Sequence, residues 1–417
     1  MRDQNFGIEI EMTGLTRANA AQVLAGYFGT DATHVGGVYD AYTVRDGDGR
    51  QWKIMSDSSI NCQNRNGHTA SRLYAVEFVS PICRYEDIET IQELVRKLRA
   101  EGGRVNHTCG IHVHINAAPH TPKTLRNIVN IMAAKEDLLY KALDINVERE
   151  NYCKKADTRF LDDVNLKRPT TMPELEELWY NGRGGSFHHY DESRYHALNL
   201  HSVFSKGTIE FRLFNSTLHA GEVKSYIQLC LAISHQALVQ KSASRSRTTS
   251  ENEKYTFRTW LLRLGMIGDE FKSARFHLLK KLDGNIAWKD PSQAERQKER
   301  LAARRAEELL QNGNQSEASE ECNIECNRGI CLLFLLFGVE INRFGQCLGR
   351  SGLCSVEFMC VDIQCGGDIG VSQACGNGLC VQILVDQDRS VEMTEAVSCH
   401  PPQPVLGLKA RQPVGWR

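Results

Sequence analysis

The sequence predicts an α+β protein: a mostly antiparallel sheet with one polar face, and helices on the other. Three observations point to it. Three short stretches alternate grease with charge: Phe6-Gly7-Ile8-Glu9-Ile10-Glu11-Met12, Gly110-Ile111-His112-Val113-His114-Ile115 and Thr208-Ile209-Glu210-Phe211-Arg212-Leu213-Phe214. Side chains alternate faces along a strand, so Glu9 joins Glu11, His112 joins His114, and Glu210 joins Arg212. The opposite face is then Ile8, Ile10 and Met12, followed by Ile111, Val113 and Ile115, and by Ile209, Phe211 and Leu213. A fourth stretch, Tyr74 to Val79, sets Glu77 alone between apolar neighbours. Finally, strands and helices interleave without the regular βαβ spacing of a parallel sheet.

The first strand, about 6–12, leads to Thr16 and an Ala-rich helix near 18–28. Strands around 36–45 and 50–55 flank the turn Asp46-Gly47-Asp48-Gly49, a hairpin signal. The polar loop Asp57-Ser58-Ser59-Ile60 precedes a strand over 74–80 that Pro81 stops. Residues 86–100 carry Ile88, Ile91, Leu94, Val95 and Leu98 at helical spacing, closed by Gly102-Gly103. After the strand at 110–116, Thr121 and Pro122 open a helix to about 143. Thr171-Met172-Pro173-Glu174 reads as a capping box before a short helix ending near Trp179. Asn181-Gly182-Arg183-Gly184-Gly185 is a glycine-rich loop, and Arg194 to Ser202 leads through a turn at Lys206-Gly207 into the third polar-faced strand. Helices near 221–240, 255–265 and 269–282 follow. Asp290-Pro291 starts another to about 311, whose narrow apolar stripe suggests a solvated appendage.

At 417 residues the chain has room for two or three domains. We read a catalytic domain over 1–240, a helical extension over 241–311, and a linker with a tail over 312–417. A net charge of −1 recommends neither nucleic acid nor a membrane surface as partner. Met1 runs straight into the first strand with no basic and apolar leader, and the longest apolar run, Cys331 to Val339, is about half the roughly 20 residues a membrane span needs. A soluble, cytoplasmic protein is the expectation. Of the 15 cysteines, ten fall in 322–417. No pair has the two-residue gap of a zinc knuckle, and His400 is the only histidine among them, so the tail is expected to be poorly ordered or an abnormal extension rather than a metal or redox module.

A Glu/His/Arg floor suits a divalent metal and a polyphosphate. Mg²⁺ binds oxygen ligands and usually takes a few carboxylates plus substrate phosphates. Glu9, Glu11, Glu77 and Glu210 offer carboxylates, and Asp57 adds one from its loop. His112 and His114 can be ligands or phosphate donors, and Arg212 offers a fork for a phosphate or a developing acyl phosphate. A single E-x-E strand is ordinarily a solvated face; four polar-faced strands in one chain are not. Cys109 reads as a small buried residue, with no base implicated beside it. Arg183, with Gly184-Gly185, reads equally as a phosphate-contacting loop or as a plain turn. No G-x-x-x-x-G-K-[ST], no G-x-G-x-x-G after a strand and no H-E-x-x-H is present.

The ordered series F-G-I-E-I-E-M at 6–12, D-S-S-I at 57–60, V-E-F-V-S-P at 76–81, G-I-H-V-H-I at 110–115, R-Y-H-A-L-N-L at 194–200 and T-I-E-F-R-L-F-N-S-T-L at 208–218 resembles the amidoligase family. That family belongs with the glutamine synthetase and glutamate–cysteine ligase superfamily. The resemblance covers roughly residues 1–240. It implies a catalytic sheet like that of glutamine synthetase and ATP-dependent joining of a carboxylate to an amine through an acyl phosphate. It implies Glu9, Glu11 and Glu77 as metal ligands, and His112 and His114 at metal or ATP phosphates. Glu210 would bind metal near the γ-phosphate and Arg212 would stabilise the transferring group. Arg194 and Asn199 would be nucleotide- or substrate-side residues. The cofactors implied are ATP and Mg²⁺ (or Mn²⁺). Such families are met in bacterial and phage-type contexts, which favours a peptide or protein among the substrates. The alternatives are a metal-dependent hydrolase, or a catalytically inactive nucleotide-binding relative.

Overall fold

A computed structural model describes residues 1–314 and six short strands between residues 340 and 381. Residues Met1–Asn314 make one compact unit and Gln315–Arg417 a second.

In the first unit, β1 (Phe6–Met12) leads to α1 (Arg17–Phe28) and then to β2 (Ala32–Gly36), β3 (Ala41–Arg45) and β4 (Gln51–Met55). β5 (Val76–Val79), α2 (Asp87–Ala100), β6 (Gly110–Asn116) and α3 (Pro122–Leu143) follow. Next come α4 (Thr158–Lys167), α5 (Met172–Tyr180), β7 (Leu198–Asn199), α6 (His201–Lys206), β8 (Thr208–Asn215) and α7 (Ala220–Val239). α8 (Glu253–Arg263), α9 (Lys272–Leu279) and α10 (Pro291–Asn314) end the unit. The eight strands form one sheet in the order β2-β3-β4-β5-β1-β6-β8-β7, antiparallel throughout.

Caps fix the helix starts as the sequence suggests. Thr16 accepts from the Asn19 N–H ahead of α1, and Thr121 and Thr171 close capping boxes ahead of α3 and α5. Ile8, Ile10, Met12, Ile111, Val113, Ile115, Ile209 and Phe211 are buried in one core. α7 packs against α2, α3, α9 and β6, and α1 against β3 and β4. Helices therefore cover the apolar side, as alternation requires.

Four expectations change. The strand over 36–45 splits at Gly36-Gly37 (φ 65° and 75°) into β2 and β3, because a run of left-handed residues cannot stay in a ladder. The strand over 74–80 shortens to β5, Arg72–Tyr74 forming a 3₁₀ turn. α4, β7 and α6 were not anticipated as separate elements. Leu213 is buried in the same core as Phe211, but the place opposite Ile111 goes to Phe214, which stacks on Tyr226 with ring centroids 4.4 Å apart. The cause is a bulge, described below.

The second unit contributes three two-stranded antiparallel ladders: β9 (Glu340–Phe344) with β12 (Met359–Asp362), β10 (Cys347–Leu348) with β11 (Ser355–Val356), and β13 (Gln373–Cys375) with β14 (Leu379–Val381). The expectation for the tail at 312–417 otherwise lies outside the described residues. Among the described residues, no helix is long and apolar enough to cross a membrane.

Candidate active site

β1 lies between β5 and β6, and its register builds the site. Glu9 opposes His112, Glu11 opposes Glu77, and Gly7 opposes His114. On the far side of β6, His114 opposes Glu210, which in turn opposes Asn199 of β7. Side chains that oppose one another across antiparallel strands stand roughly 4.5–5.5 Å apart at Cβ. The register alone thus gathers four glutamates and two histidines.

Their contacts are close. His112 Nδ1 lies 3.0 Å from Glu9 Oε2 and 3.7 Å from Glu210 Oε1, and His112 Nε2 lies 3.9 Å from Glu11 Oε1. His114 Nε2 lies 3.3 Å from Glu9 Oε1, out of line for a hydrogen bond, while its Nδ1 meets Thr208 Oγ1 at 3.1 Å. Asn199 Nδ2 donates to Glu210 Oε2 at 2.7 Å, and the Gly110 N–H donates to Glu11 Oε2 at 2.7 Å. Asp57, held by the Ser59 N–H at 2.6 Å, joins Glu11 and Glu77 from its loop.

The register slips between β6 and β8. Ile111 opposes Phe214 while Val113 opposes Phe211, so Arg212 and Leu213 together face His112. Such a bulge re-aims a side chain, and here it carries Arg212. Arg212 Nη1 donates to Glu210 Oε1 at 2.5 Å and its backbone N–H to Ala197 O at 2.9 Å. Behind the bulge, buried Arg149 donates to Cys109 O at 2.7 Å and to Arg212 O at 3.2 Å. A Cβ on Gly110 would sit 2.0 Å from Arg149 Nη1, so only glycine leaves room for this guanidinium. Cys109 is buried with its thiol pushed up to about 12 by burial, as expected of a structural residue.

The electrostatics are those of acids crowded out of water. Burial and then the Asp57 charge push Glu11 up to about 7, against the pull of Arg149. Burial and the charges of Glu9, Glu11 and Asp57 raise Glu77 well above the carboxylate range. Burial would raise Glu9 and Glu210 too, but His114 and the His112 hydrogen bond hold Glu9 well below its ordinary value, and Arg212 holds Glu210 at about 2. Burial and the Arg212 charge bring His112 down to about 4, so it is neutral at pH 7. For His114, Glu9 and Glu210 outweigh burial and raise it.

Three groups offer ligand atoms that all lie within 4.8 Å of one another: Glu9/Glu77/His112, Glu9/His114/Glu210 and Glu11/Asp57/Glu77. The donor set, carboxylate oxygens with two imidazoles, fits hard divalent cations. A neutral His112 whose Nδ1–H points at Glu9 leaves its Nε2 lone pair as a ligand.

The sequence-named residues Glu9, Glu11, Asp57, Glu77, His112, His114, Asn199, Glu210 and Arg212 all meet here. Arg194 borders the site on the wall of a cavity of about 250 Å³ that reaches Glu210. Arg183 does not join them. It is exposed, and its side chain meets the Tyr180 carbonyl at the end of α5 at 3.5 Å, because the Asn181-Gly182 left-handed turn points the chain away. Sequence reasoning missed Arg149 and Lys206. Arg149 lies in a polar loop with no pattern; Lys206 was read only as part of a turn.

The fold is of the α+β class, an antiparallel sheet whose floor gathers carboxylates, imidazoles and an arginine. A family model described as Putative amidoligase enzyme matches residues 2–234, and the chain belongs to that family. Its members are described as ligases, whose substrates would be an amine and a carboxylate. No curated protein matches the chain.

Proposed function

We propose that the protein is an ATP- and Mg²⁺-dependent carboxylate–amine ligase acting in the cytoplasm, on a sheet of the glutamine synthetase catalytic type. The observation that carries this reading is the convergence of Glu9, Glu11, Glu77 and Glu210 with His112, His114 and Arg212 on one buried polar floor. Glu9, Glu11, Glu77, Glu210 and Asp57, with His112, would hold Mg²⁺ or Mn²⁺. When bound, such ions neutralise phosphate charge. Phosphoryl transfer needs positioning and charge neutralisation more than a protein nucleophile, and this site is built of both.

The reaction runs in two displacements. A substrate carboxylate oxygen attacks the γ-phosphorus of ATP, and ADP leaves. The amine nitrogen then attacks the acyl carbon, and orthophosphate leaves. In sum, carboxylate, ammonium and ATP give amide, ADP, hydrogen phosphate and one proton. Arg212 would face the oxygens of the transferring phosphoryl group; Glu210 holds its guanidinium, and Asn199 in turn holds Glu210. His114, whose pKa Glu9 and Glu210 raise, would add a second donor whenever it is protonated.

The test is incubation with ATP, Mg²⁺ and a mixture of acids and amines, read by ADP release and product mass. ADP release that needs both acid and amine, with a product equal to their sum less water, is expected. A hydrolase would instead cleave amides with no need of ATP. A nucleotide-binding relative without activity would release nothing.

A further inference from the structure

The polar floor opens at Glu210 into the cavity of about 250 Å³, walled by the loop before β7 and by α6. Pockets for drug-sized ligands run to roughly 300–1,000 Å³. A whole nucleotide is therefore too large for it, and an amino acid is not.

Its charge is one-sided. Arg194, Lys206 and His189 line it, and Glu210, already paired with Arg212, is the only carboxylate in its wall. Among the described residues Lys206 makes no hydrogen bond or ion pair. Arg194 donates to the His189 carbonyl at 2.9 Å and stacks on Tyr190 and Tyr195 at 5.7 and 5.8 Å, which leaves its charge without a carboxylate partner. His189 is held below its ordinary range by burial and then by these two cations. The ligand's outer end is thus an anion.

The inner end has a different requirement. Asn199 is 1% exposed, and its Nδ2 donates to Glu210 Oε2 at 2.7 Å. Glu210 takes Arg212 Nη1 on Oε1 and the Asn199 amide on Oε2, so it faces Asn199 as an acceptor and the amide cannot be turned round. Asn199 Oδ1 is consequently a buried acceptor with no donor, and buried acceptors find one.

An anion at one end and an N–H donor at the other, within the span of a small molecule, describe an α-amino acid. We propose that this cavity seats a free amino acid as the amine substrate, with its carboxylate on Arg194 and Lys206 and its ammonium toward Asn199 Oδ1. That nitrogen then lies beside Glu210 and Arg212, where, once it has lost one proton to water, it would attack the acyl carbon and pass a second proton to the orthophosphate that leaves. Its role as nucleophile rests on the ligase reading above; its seating does not.

Binding to the full chain is measured with Mg²⁺ and no ATP, by saturation-transfer NMR and calorimetry. The probes are the common L-amino acids, each beside the same amine lacking its carboxylate. At least one amino acid should bind, its decarboxylated partner at least about tenfold more weakly. Lys206→Met should weaken the amino acid by about tenfold, and Lys206→Arg should restore it. Lys206 is exposed, so an unchanged melting temperature checks that the variant folds. In ADP-release assays the amino-acid KM should rise in Lys206→Met, and the ATP KM should not follow. No amino-acid binding, equal binding of the decarboxylated amine, or a shift confined to the ATP KM would each overturn the assignment. Amino-acid binding that Lys206→Met loosens, in a protein that releases no ADP, would keep the seat and sink the ligase.

Discussion

Arg212 is buried among acids, and burial alone would lower its pKa; Glu210 outweighs that and raises it. Its Nη1 is taken by Glu210, while its Nε is buried without a partner. A guanidinium tied at one corner and free at another suits a charge that appears only during reaction. Arg212→Lys keeps the charge and loses the planar fork, so turnover should fall on the order of 10²-fold while ATP affinity changes much less. Amine-dependent ADP release beside calorimetric ATP binding reads both. A collapse of binding with turnover kept at saturating ATP would make Arg212 a ground-state phosphate anchor. Glu9, Glu11, His112, His114 and Glu210 were legible because each is out of phase with apolar neighbours. Arg149 and Lys206 were not, because what places them is a missing Cβ at Gly110 and the end of a six-residue helix.

Among the elements, the β3–β4 hairpin was the most readable, since its turn chemistry is local. Asp46 is buried there, accepting from Trp52 Nε1 at 3.0 Å, from Arg50 Nε at 2.8 Å and from the Asp48 and Arg50 N–H groups. Asp46→Ala should cost about 1–3 kcal/mol, because the buried Trp52 N–H loses its partner. Urea unfolding measures it, and a loss under about 0.5 kcal/mol would show that water takes the carboxylate's place. The β6–β8 bulge marks the opposite limit. Strict alternation placed Leu213 with Phe211, but one extra residue opposite His112 shifts the count, and Phe214 takes the place opposite Ile111. No residue in Thr208 to Asn215 announces that slip. It depends on β6, which lies about a hundred residues away.

At the scale of the molecule, the sequence indicated which strands have a polar face but not that they abut; the order β5-β1-β6-β8-β7 supplies this by threading the N-terminal strand through the centre. That order forces Glu11 against Glu77 and near Asp57, and the fold answers by keeping protons. Glu77 is raised well above its usual range and Glu11 to about 7. The sign follows from linkage: an acid whose folded pKa is raised contributes stability below its unfolded value, which is lost as pH rises through the folded one. Glu9 and Glu210, whose values are lowered, lose their contribution only at much lower pH. His112, at about 4, is neutral in the folded and unfolded states alike above pH 7, and His114, being raised, works in the same direction as Glu11. The cation-free melting temperature should therefore fall between pH 6.5 and 8. Cations bind the ionised carboxylates, so at pH 7 Mg²⁺ should release on the order of one proton per protein and remove that fall. Calorimetric Mg²⁺ titration in two buffers of different ionisation heat counts the proton, and melting with and without Mg²⁺ follows the slope. Equal heats in both buffers together with parallel melting curves would mean that the cation, if it binds, does so away from Glu11 and Glu77.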